Sequence, residues 1–261
     1  MSTVMVTGAN RGIGYEHVAQ YAQKKWKVIA CARQPEKAIE LLQLQDKYGA
    51  NFIIEELEVT NHNQVDGLSQ KHSNTAIDIF INNAGTGGPE GMPGAMDYQK
   101  IDNMNYQIWR DILEVNLLAP FKVATSFHKQ ISISDKKTLI MMSSDLGSVS
   151  QNTFGGLYSY RASKSGLNIV AKGMSNEWKD IIVVALAPST EAGPHISKLK
   201  STLSGSSKRS NADERCPSVG AIVVRGKPPV IVTVSVPARP VRSVAVIVAV
   251  ASEPQFVAFA G

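Results

Sequence analysis

Thr7-Gly8-Ala9-Asn10-Arg11-Gly12-Ile13-Gly14 follows a short apolar run and opens a helix candidate. Gly8 permits the tight turn out of the strand, and Gly12 lets the backbone approach a pyrophosphate with no Cβ in the way. Gly14 lets the helix pack close to the sheet. The helix N-terminus then presents free N–H groups and a positive dipole end to phosphates. We therefore predict a phosphate-binding turn, with cofactor contacts from Gly8, Asn10, Arg11, Gly12, Ile13 and Gly14.

Strand-like and helix-like segments alternate through the first 190 residues. The strand candidates are apolar throughout, which is typical of strands buried on both faces: Val4–Thr7, Val28–Ala32, Phe52–Leu57, Ile77–Ile81, Thr138–Ser143 and Ile181–Ala187. The helix candidates are Gly12–Lys24, Glu36–Tyr48, His62–His72, Tyr106–His128 and Leu157–Trp178. This rhythm favours right-handed βαβ crossovers. We predict an α/β fold over residues 1–190, a Rossmann-type doubly wound parallel sheet in three layers.

The composition changes after Pro188. Residues 196–219 are rich in Ser, Lys, Arg and Asn, which favours a flexible loop or disorder. Residues 221–250 mix Val, Ala and Pro; valine favours strands, but the recurring prolines would interrupt a central one. We predict that residues 191–261 form an atypical segment, disordered or weakly β. The composition also suggests a read-through in another frame, a hypothesis that mapping the transcript against its exons would test.

Length, charge and cysteine content set the broad class. The chain has 261 residues, a formal net charge of +5 and two cysteines, Cys31 and Cys216, outside any CxxC pair. One α/β domain is expected, with neither a disulfide framework nor a metal site. No signal-peptide pattern opens the chain, and no apolar run reaches the about 20 residues that a membrane span needs. We expect a soluble cytoplasmic protein that binds no membrane, and no nucleic acid because its basic residues are scattered.

The end of the second strand candidate bears on the choice of nicotinamide cofactor. Ala32 occupies the position where NAD-binding chains place an acid for the ribose 2′-hydroxyl, and Arg33 follows it. A guanidinium suits a 2′-phosphate through charge-assisted hydrogen bonds, and Arg11 could add a second positive charge. The alternative is that both arginines are solvated surface residues. We predict NADP(H).

Tyr160 and Lys164 stand four residues apart on a helix candidate and so share one face. A neighbouring ammonium favours tyrosinate, so we expect a tyrosine pKa below its usual value of about 10, in the range of a general acid. Ser144 follows the preceding strand, at the end where ligands bind in open α/β sheets. These three residues are predicted to be catalytic.

Five motifs in order carry a resemblance to a known family. They are the glycine turn, Asn82-Asn83-Ala84-Gly85, the Asn116 of Val115-Asn116-Leu117, Ser144, and Tyr160-Arg161-Ala162-Ser163-Lys164. Together they resemble the short-chain dehydrogenase/reductases, and the finer pattern is similar to the carbonyl-reductase branch that includes sniffer-type and C-factor-type proteins. The resemblance runs from the N-terminus to about Pro188.

The resemblance implies a role for each matched residue. Tyr160 would exchange a proton with the carbonyl oxygen, and Lys164 would lower the tyrosine pKa and hold the nicotinamide ribose. Ser144 would bind the substrate oxygen, and Asn116 would hold a helix kink and a relay water. Asn82, Ala84 and Gly85 would lie beside the adenosine ribose, although Asn82-Asn83 alone would also suit a plain turn. The resemblance also implies a homodimer, and the Gly85–Gly94 loop is expected to shape substrate choice.

Three departures from the family pattern concern the cofactor and the substrate pocket. Glu58-Val59-Thr60 replaces the usual Asp-Val-Thr, and Pro188-Ser189-Thr190 replaces a Pro-Gly sequence, with Pro188 and Thr190 still expected near the cofactor. The tail lacks the expected lid helices and final strand. We expect an NADPH-dependent reductase of small-molecule aldehydes, ketones or quinones. The alternative is a catalytically impaired NADP(H)-binding scaffold or sensor.

Overall fold

Six parallel strands form the centre of the described part of the chain. The computed structural model describes residues 1–150, 152–189, 222–224 and 244–245. The central strands are β1 (Thr3–Thr7), β2 (Lys27–Ala32), β3 (Phe52–Glu56), β4 (Ile79–Asn82), β5 (Thr138–Met142) and β6 (Ile182–Leu186). They lie in the order β3-β2-β1-β4-β5-β6, and each neighbouring pair is parallel. This order confirms the predicted Rossmann-type sheet.

Helices cover both faces of this sheet. They are α1 (Gly12–Gln23), α2 (Ile39–Tyr48), α3 (His62–Lys71), α4 (Tyr106–Leu113), α5 (Ala119–Ser126), α6 (His128–Ser132) and α7 (Tyr158–Glu177). Helices α1 and α2 supply apolar side chains to one buried cluster, and α3, α5 and α7 supply them to the other. Within β1, Val4 and Val6 enter the first cluster and Met5 the second, because successive strand side chains point to opposite faces. The predicted three layers are therefore confirmed.

The prediction of one continuous helix over Tyr106–His128 is wrong. The chain forms α4, then a π-helical turn at Glu114–Leu118, then α5 and α6. Pro120 has no N–H to donate to the carbonyl of Asn116, so a regular α-helical hydrogen bond is lost at this point. Such π-turns inside helices occur frequently at functional sites.

The segment between β4 and α4 contains more structure than the predicted loop. The last four residues of that loop, Gly91–Gly94, form a helical turn, and a 3-10 turn follows at Ala95–Asp97. A short hairpin then pairs Gln99–Lys100 with Asn103–Met104. Elements of two to four residues show no hydrophobic period, so the sequence pattern did not predict them.

Three short strands follow β6 in the described residues. Strand β7 (Ile222–Val224) pairs antiparallel with β6, and Val244–Ala245 pairs antiparallel with Pro188–Ser189. Strand β7 stands at the edge of the sheet, within the segment predicted to be disordered or weakly β. The remainder of the 191–261 segment lies outside the described residues, and its predicted character stays a prediction. Among the helices that the structure describes, none is long and apolar enough to cross a membrane.

Candidate active site

The predicted site residues come together where the strand order reverses. Strand β1 is followed in the chain by β2 on one side of it, and the later β4 lies on its other side. The crevice beyond the carboxyl ends of such strands is the ligand-binding position of open α/β sheets. The glycine turn follows β1, the Asn82–Gly85 segment ends β4, and Ser144 follows β5.

The glycine turn has the backbone that its residues predict. Gly8 and Gly12 have φ angles of 63° and 58°, in the left-handed region that favours glycine. A Cβ at Gly14 would lie 2.3 Å from the carbonyl oxygen of Gly8, so the close approach of α1 to the turn requires glycine. Arg11 at the N-cap makes no side-chain cap, and the first turn of α1 has no acidic residue. The first-turn N–H groups therefore have no side-chain cap and can bind an anion.

Thr7 and Asn83 hold this turn against the end of β4. The Thr7 Oγ1 atom accepts hydrogen bonds from the N–H groups of Asn83 (2.9 Å) and Ala84 (3.0 Å). The Asn83 side-chain amide donates to the carbonyls of Thr7 (2.9 Å) and Gly8 (3.2 Å). Neither Thr7 nor Asn83 was predicted to have a role. The repeated Asn-Asn after an apolar strand was the only local pattern that pointed to Asn83.

Asn82, whose predicted place beside the adenosine ribose stays a prediction, has a clear structural contact. Its side chain is buried and donates to the carbonyl of Pro120 at 2.8 Å, so it ties β4 to α5. Ala84 and Gly85 lie in the turn that follows. A Cβ at Gly85 would lie 3.2 Å from Asn116 Oδ1 and 3.6 Å from Lys164 Nζ, which places Gly85 beside two predicted catalytic residues.

Arg33 stands at the far end of this crevice, after β2. Its side chain is 74% exposed, and Nη1 lies 3.6 Å from Glu58 Oε2. Glu58 is the residue that departs from the family's usual Asp. An exposed ion pair of this kind contributes little stability, so the guanidinium can exchange its partner for another anion.

Lys164 is buried in α7 and directs its amine toward the end of β5. Its Nζ donates to the carbonyl of Met142 at 2.8 Å and lies 5.8 Å from the centre of the Tyr160 ring. Desolvation lowers the pKa of Lys164 to about 8. The ammonium is therefore held close to the tyrosine but bonded to the sheet.

The Tyr160 hydroxyl lies beside Ser144, whose own hydroxyl donates to the Asp145 carboxylate at 3.0 Å. Burial raises the pKa of Tyr160 above its ordinary value, while the neighbouring Ser144 hydroxyl opposes that rise and the Asp145 carboxylate adds to it. We expected a lowered pKa from Lys164. In the described chain burial instead raises the pKa of Tyr160, and the Lys164 amine donates to the carbonyl of Met142.

Asn116 lies fully buried in the π-turn and connects three segments. Its amide group donates to the carbonyl of Thr86 (2.8 Å) and to Ser163 Oγ in α7 (3.1 Å). Its Oδ1 accepts from the N–H of Thr86 at 2.8 Å. The resemblance implied a helix kink at Asn116, and the structure has a π-helical turn there. The loop after β4 is fixed to this turn through Thr86, a residue that was not predicted to have a role.

The pattern that defines the short chain dehydrogenases matches residues 2–202, which is most of the chain. The chain belongs to the short chain dehydrogenase family. This confirms the resemblance that the motifs indicated and places the chain among oxidoreductases.

Individual relatives of this short chain dehydrogenase cover similar ranges. The short chain dehydrogenase gsfK of Penicillium aethiopicum is 30% identical over 195 residues, 72% of this chain and 74% of that protein. The carbonyl reductase Sniffer of D. melanogaster is 28% identical with a TM-score of 0.62, covering 72% of this chain and 80% of that one. A Burkholderia multivorans structure assigned to the short-chain dehydrogenase/reductases, with bound NADP, is 26% identical with a TM-score of 0.60, covering 67% and 73%.

The structure of this short chain dehydrogenase thus brings most predicted site residues to one crevice. Tyr160, Ser144, Lys164 and Asn116 are linked through direct contacts or a shared neighbour. The glycine turn lies next to them through Ala84. Pro188 begins the short strand just beyond β6, whereas Thr190 lies outside the described residues.

Proposed function

We propose that this chain is an NADPH-dependent carbonyl reductase with Tyr160 as proton donor. One observation carries the proposal: the Tyr160 hydroxyl lies beside Ser144, and the buried amine of Lys164 lies 5.8 Å from the centre of the Tyr160 ring, at the carboxyl end of β5. A proton donor and a second hydroxyl at the same point can both contact one carbonyl oxygen. Carbonyl reductases among the structural relatives, such as Sniffer, support this reading.

The residues of the crevice fit a phosphorylated dinucleotide. The N–H groups at the start of α1 have no side-chain cap, and a Cβ at Gly12 would meet nothing within 4 Å, so the backbone there is open to a pyrophosphate. Arg33, which is exposed after β2, would hold the ribose 2′-phosphate. The bound NADP of the Burkholderia structure supports the same choice. A nicotinamide cofactor held there supplies the hydride.

The chain's own residues then handle the proton. The phenol of Tyr160 would donate its proton to the carbonyl oxygen as the carbonyl carbon accepts the hydride and becomes a carbinol, although burial raises its pKa and so opposes that donation. Ser144 donates a hydrogen bond to the same oxygen and sets its direction. Lys164 places a positive charge below the phenol and stabilises the tyrosinate that proton transfer leaves behind.

NADPH oxidation by the full-length chain, followed by absorbance, tests the proposal. The substrate panel contains aldehydes, quinones and the diketone benzil, since a benzil reductase of Bacillus cereus is 28% identical over 200 residues. We expect turnover that falls at least about 100-fold in Tyr160→Phe, the range in which general acid catalysis contributes. Tyr48→Phe, in α2 away from the site, removes a phenol hydroxyl as a matched control and should keep full activity.

The second candidate function is an NADP(H)-binding scaffold or sensor without turnover. The departure at Ser189-Thr190 favours it, because that segment follows β6, where the family has Pro-Gly. A folded wild-type chain that binds NADPH but reduces no member of the panel would overturn the reductase and support the scaffold. The homodimer remains a prediction, and size-exclusion chromatography with light scattering would test it.

A further inference from the structure

We infer that Gln99 is a positioning residue that fixes Tyr160 by capping the catalytic helix α7 from a distant segment. This inference rests on the proposed function, since it assigns Gln99 to the placement of the proposed proton donor. Gln99 lies in the short hairpin after β4, about sixty residues from α7 in the chain, and its side chain is 0% exposed. No motif of the sequence pointed to it.

Helix α7 begins without a cap of its own. Its N-cap residue is Leu157, which has no polar side chain, and its φ of 52° lies in the left-handed region. Gly155 and Gly156 before it have φ angles of 66° and 67°. A helix start leaves N–H groups without intrahelical partners, and a buried start must find acceptors elsewhere. Tyr160 is the third helical residue, whose N–H is among those that a cap normally satisfies.

Gln99 supplies the missing acceptor. Its Oε1 accepts a hydrogen bond from the N–H of Tyr160 at 3.0 Å and another from the hydroxyl of Ser159. Its Nε2 donates to the carbonyl of Gly87 at 2.9 Å, and the hydroxyl of Tyr98 donates to the same carbonyl at 3.3 Å. The oxygen of the Gln99 amide therefore bonds the backbone of the proposed catalytic tyrosine, and the nitrogen of the same amide bonds the loop after β4.

The loop that Gln99 holds is the same loop that Asn116 holds. Asn116 bonds both backbone groups of Thr86, and its amide also reaches Ser163 in α7. Gln99 bonds the next residue, Gly87, and the first turn of α7. Two buried amides thus fasten the start of α7 to the segment beside the site from two directions. Removing Gln99 would leave the first turn of α7 free to shift, and a displacement of about 1 Å at a reacting group can lower a rate about 100-fold.

The test compares Gln99→Met with two other variants in the full-length chain. Methionine keeps the approximate volume of glutamine and makes neither hydrogen bond. Gln130→Met is the matched control, because Gln130 is also buried, its amide donates to Ser69, and it lies outside the site. With benzil as substrate, we expect kcat to fall about 10- to 100-fold in Gln99→Met with the KM for NADPH unchanged. Gln130→Met should keep the wild-type kcat.

The pH dependence of activity in Gln99→Glu tests the hydrogen bonds of Gln99 separately from any general effect on stability. A protonated carboxyl at this position can accept from Tyr160 and donate to Gly87, as the amide does, whereas a carboxylate cannot donate. Burial raises the pKa of a carboxyl, so protonation should occur near neutral pH. We expect the activity of Gln99→Glu relative to wild type to rise as pH falls from about 8 to about 6. Gln99→Met should show no such rise.

The outcomes separate this inference from the proposed function. If wild type turns over and Gln99→Met matches its kcat, or if Gln130→Met loses as much, the positioning role is overturned and the reductase stands. If wild type itself reduces nothing, the catalytic role of Gln99 falls with the proposed function. Hydrogen exchange of the backbone amides of residues 158–161 then tests whether Gln99 caps α7. Faster exchange in Gln99→Met than in Gln130→Met supports the cap, and equal exchange overturns it.

Discussion

We expect the buried amine of Lys164 to set the pH above which the activity falls. Desolvation lowers the pKa of Lys164 to about 8, so the side chain is charged below that pH and neutral above it. We predict that kcat/KM falls about tenfold per pH unit above about pH 8, because that quantity reports ionisations of the free enzyme. Measurement of kcat/KM between pH 6 and 10, for whichever member of the carbonyl panel is reduced, checks this. Lys172→Arg, elsewhere on α7, serves as control, and a flat profile to pH 10 would contradict the assignment.

The pairing of Arg33 with Glu58 makes cofactor preference testable at single residues. The Glu58 carboxylate lies 3.6 Å from the guanidinium and competes with a 2′-phosphate for it. We predict that Arg33→Ala raises the dissociation constant for NADPH about tenfold, or about 1.4 kcal/mol, and leaves that for NADH unchanged. Titration calorimetry with both cofactors measures the difference.

Glu58→Gln is the complementary variant for the same site. It removes the competing charge and keeps the side-chain shape, so NADPH should bind as tightly as to wild type or more tightly. Equal losses of NADPH and NADH affinity in Arg33→Ala would show that Arg33 does not bind the 2′-phosphate.

At the scale of elements, the junction of α1 with the glycine turn depends on a missing side chain. A Cβ at Gly14 would lie 2.3 Å from Gly8 O and 2.6 Å from Asn83 Nδ2, so Gly14→Ala must move either the helix or the turn. Gly173 in α7 is the control, since a Cβ there meets nothing within 4 Å. We predict that Gly14→Ala lowers the free energy of unfolding by about 1–3 kcal/mol, and that Gly173→Ala raises it by about 0.5–1 kcal/mol.

Urea denaturation and NADPH titration measure these two variants side by side. Gly14→Ala should also weaken NADPH binding, because the displaced turn would carry the phosphate-binding N–H groups. Gly173→Ala should leave NADPH binding unchanged. Equal stability of the two variants would show that α1 can shift to accept the methyl group.

Elements with a long hydrophobic pattern could be predicted from the sequence, and those set by contacts distant in the chain could not. The apolar runs of β1 to β6 and the Tyr160–Lys164 spacing were sufficient for the sheet and the catalytic helix. The π-turn at Asn116 was missed because Pro120 breaks one hydrogen bond without breaking the apolar pattern. The roles of Asn83 and Gln99 depend on partners about sixty or more residues away, which no local pattern contains.

At the scale of the whole molecule, two cores on opposite faces of the sheet hold the site in place. Strands β1, β4 and β5 lead into the glycine turn, the Asn83–Gly85 turn and Ser143-Ser144. Each strand is packed on both faces, because its alternate side chains enter the two clusters. Dense packing on both faces leaves little room for a strand to shift. Packing of the two cores therefore fixes the positions of the residues that line the crevice. We expect a loss of core stability to disturb the site as well.

His17 makes that stability dependent on pH. It lies in α1 at 1% exposure, and its ring nitrogens find no hydrogen-bond partner in the described chain. Burial lowers its pKa from 6.5 to about 4, so between those values the unfolded chain binds a proton that the folded chain does not. The stabilisation is complete above pH 6.5 and is lost as pH falls toward 4, by up to about 3 kcal/mol.

We therefore predict that the free energy of unfolding of wild type falls between pH 6.5 and 4 by up to about 3 kcal/mol more than that of His17→Leu, measured by urea denaturation at each pH. Leucine occupies the buried position without a group that can be protonated. His62→Gln is the control, because His62 is half exposed and its removal should leave the wild-type slope. Carboxylates that titrate in this range are common to all three chains and cancel in the comparison. Parallel curves for wild type and His17→Leu would mean that the folded chain admits a charged imidazole, and that the packing around α1 is looser than its burial indicates.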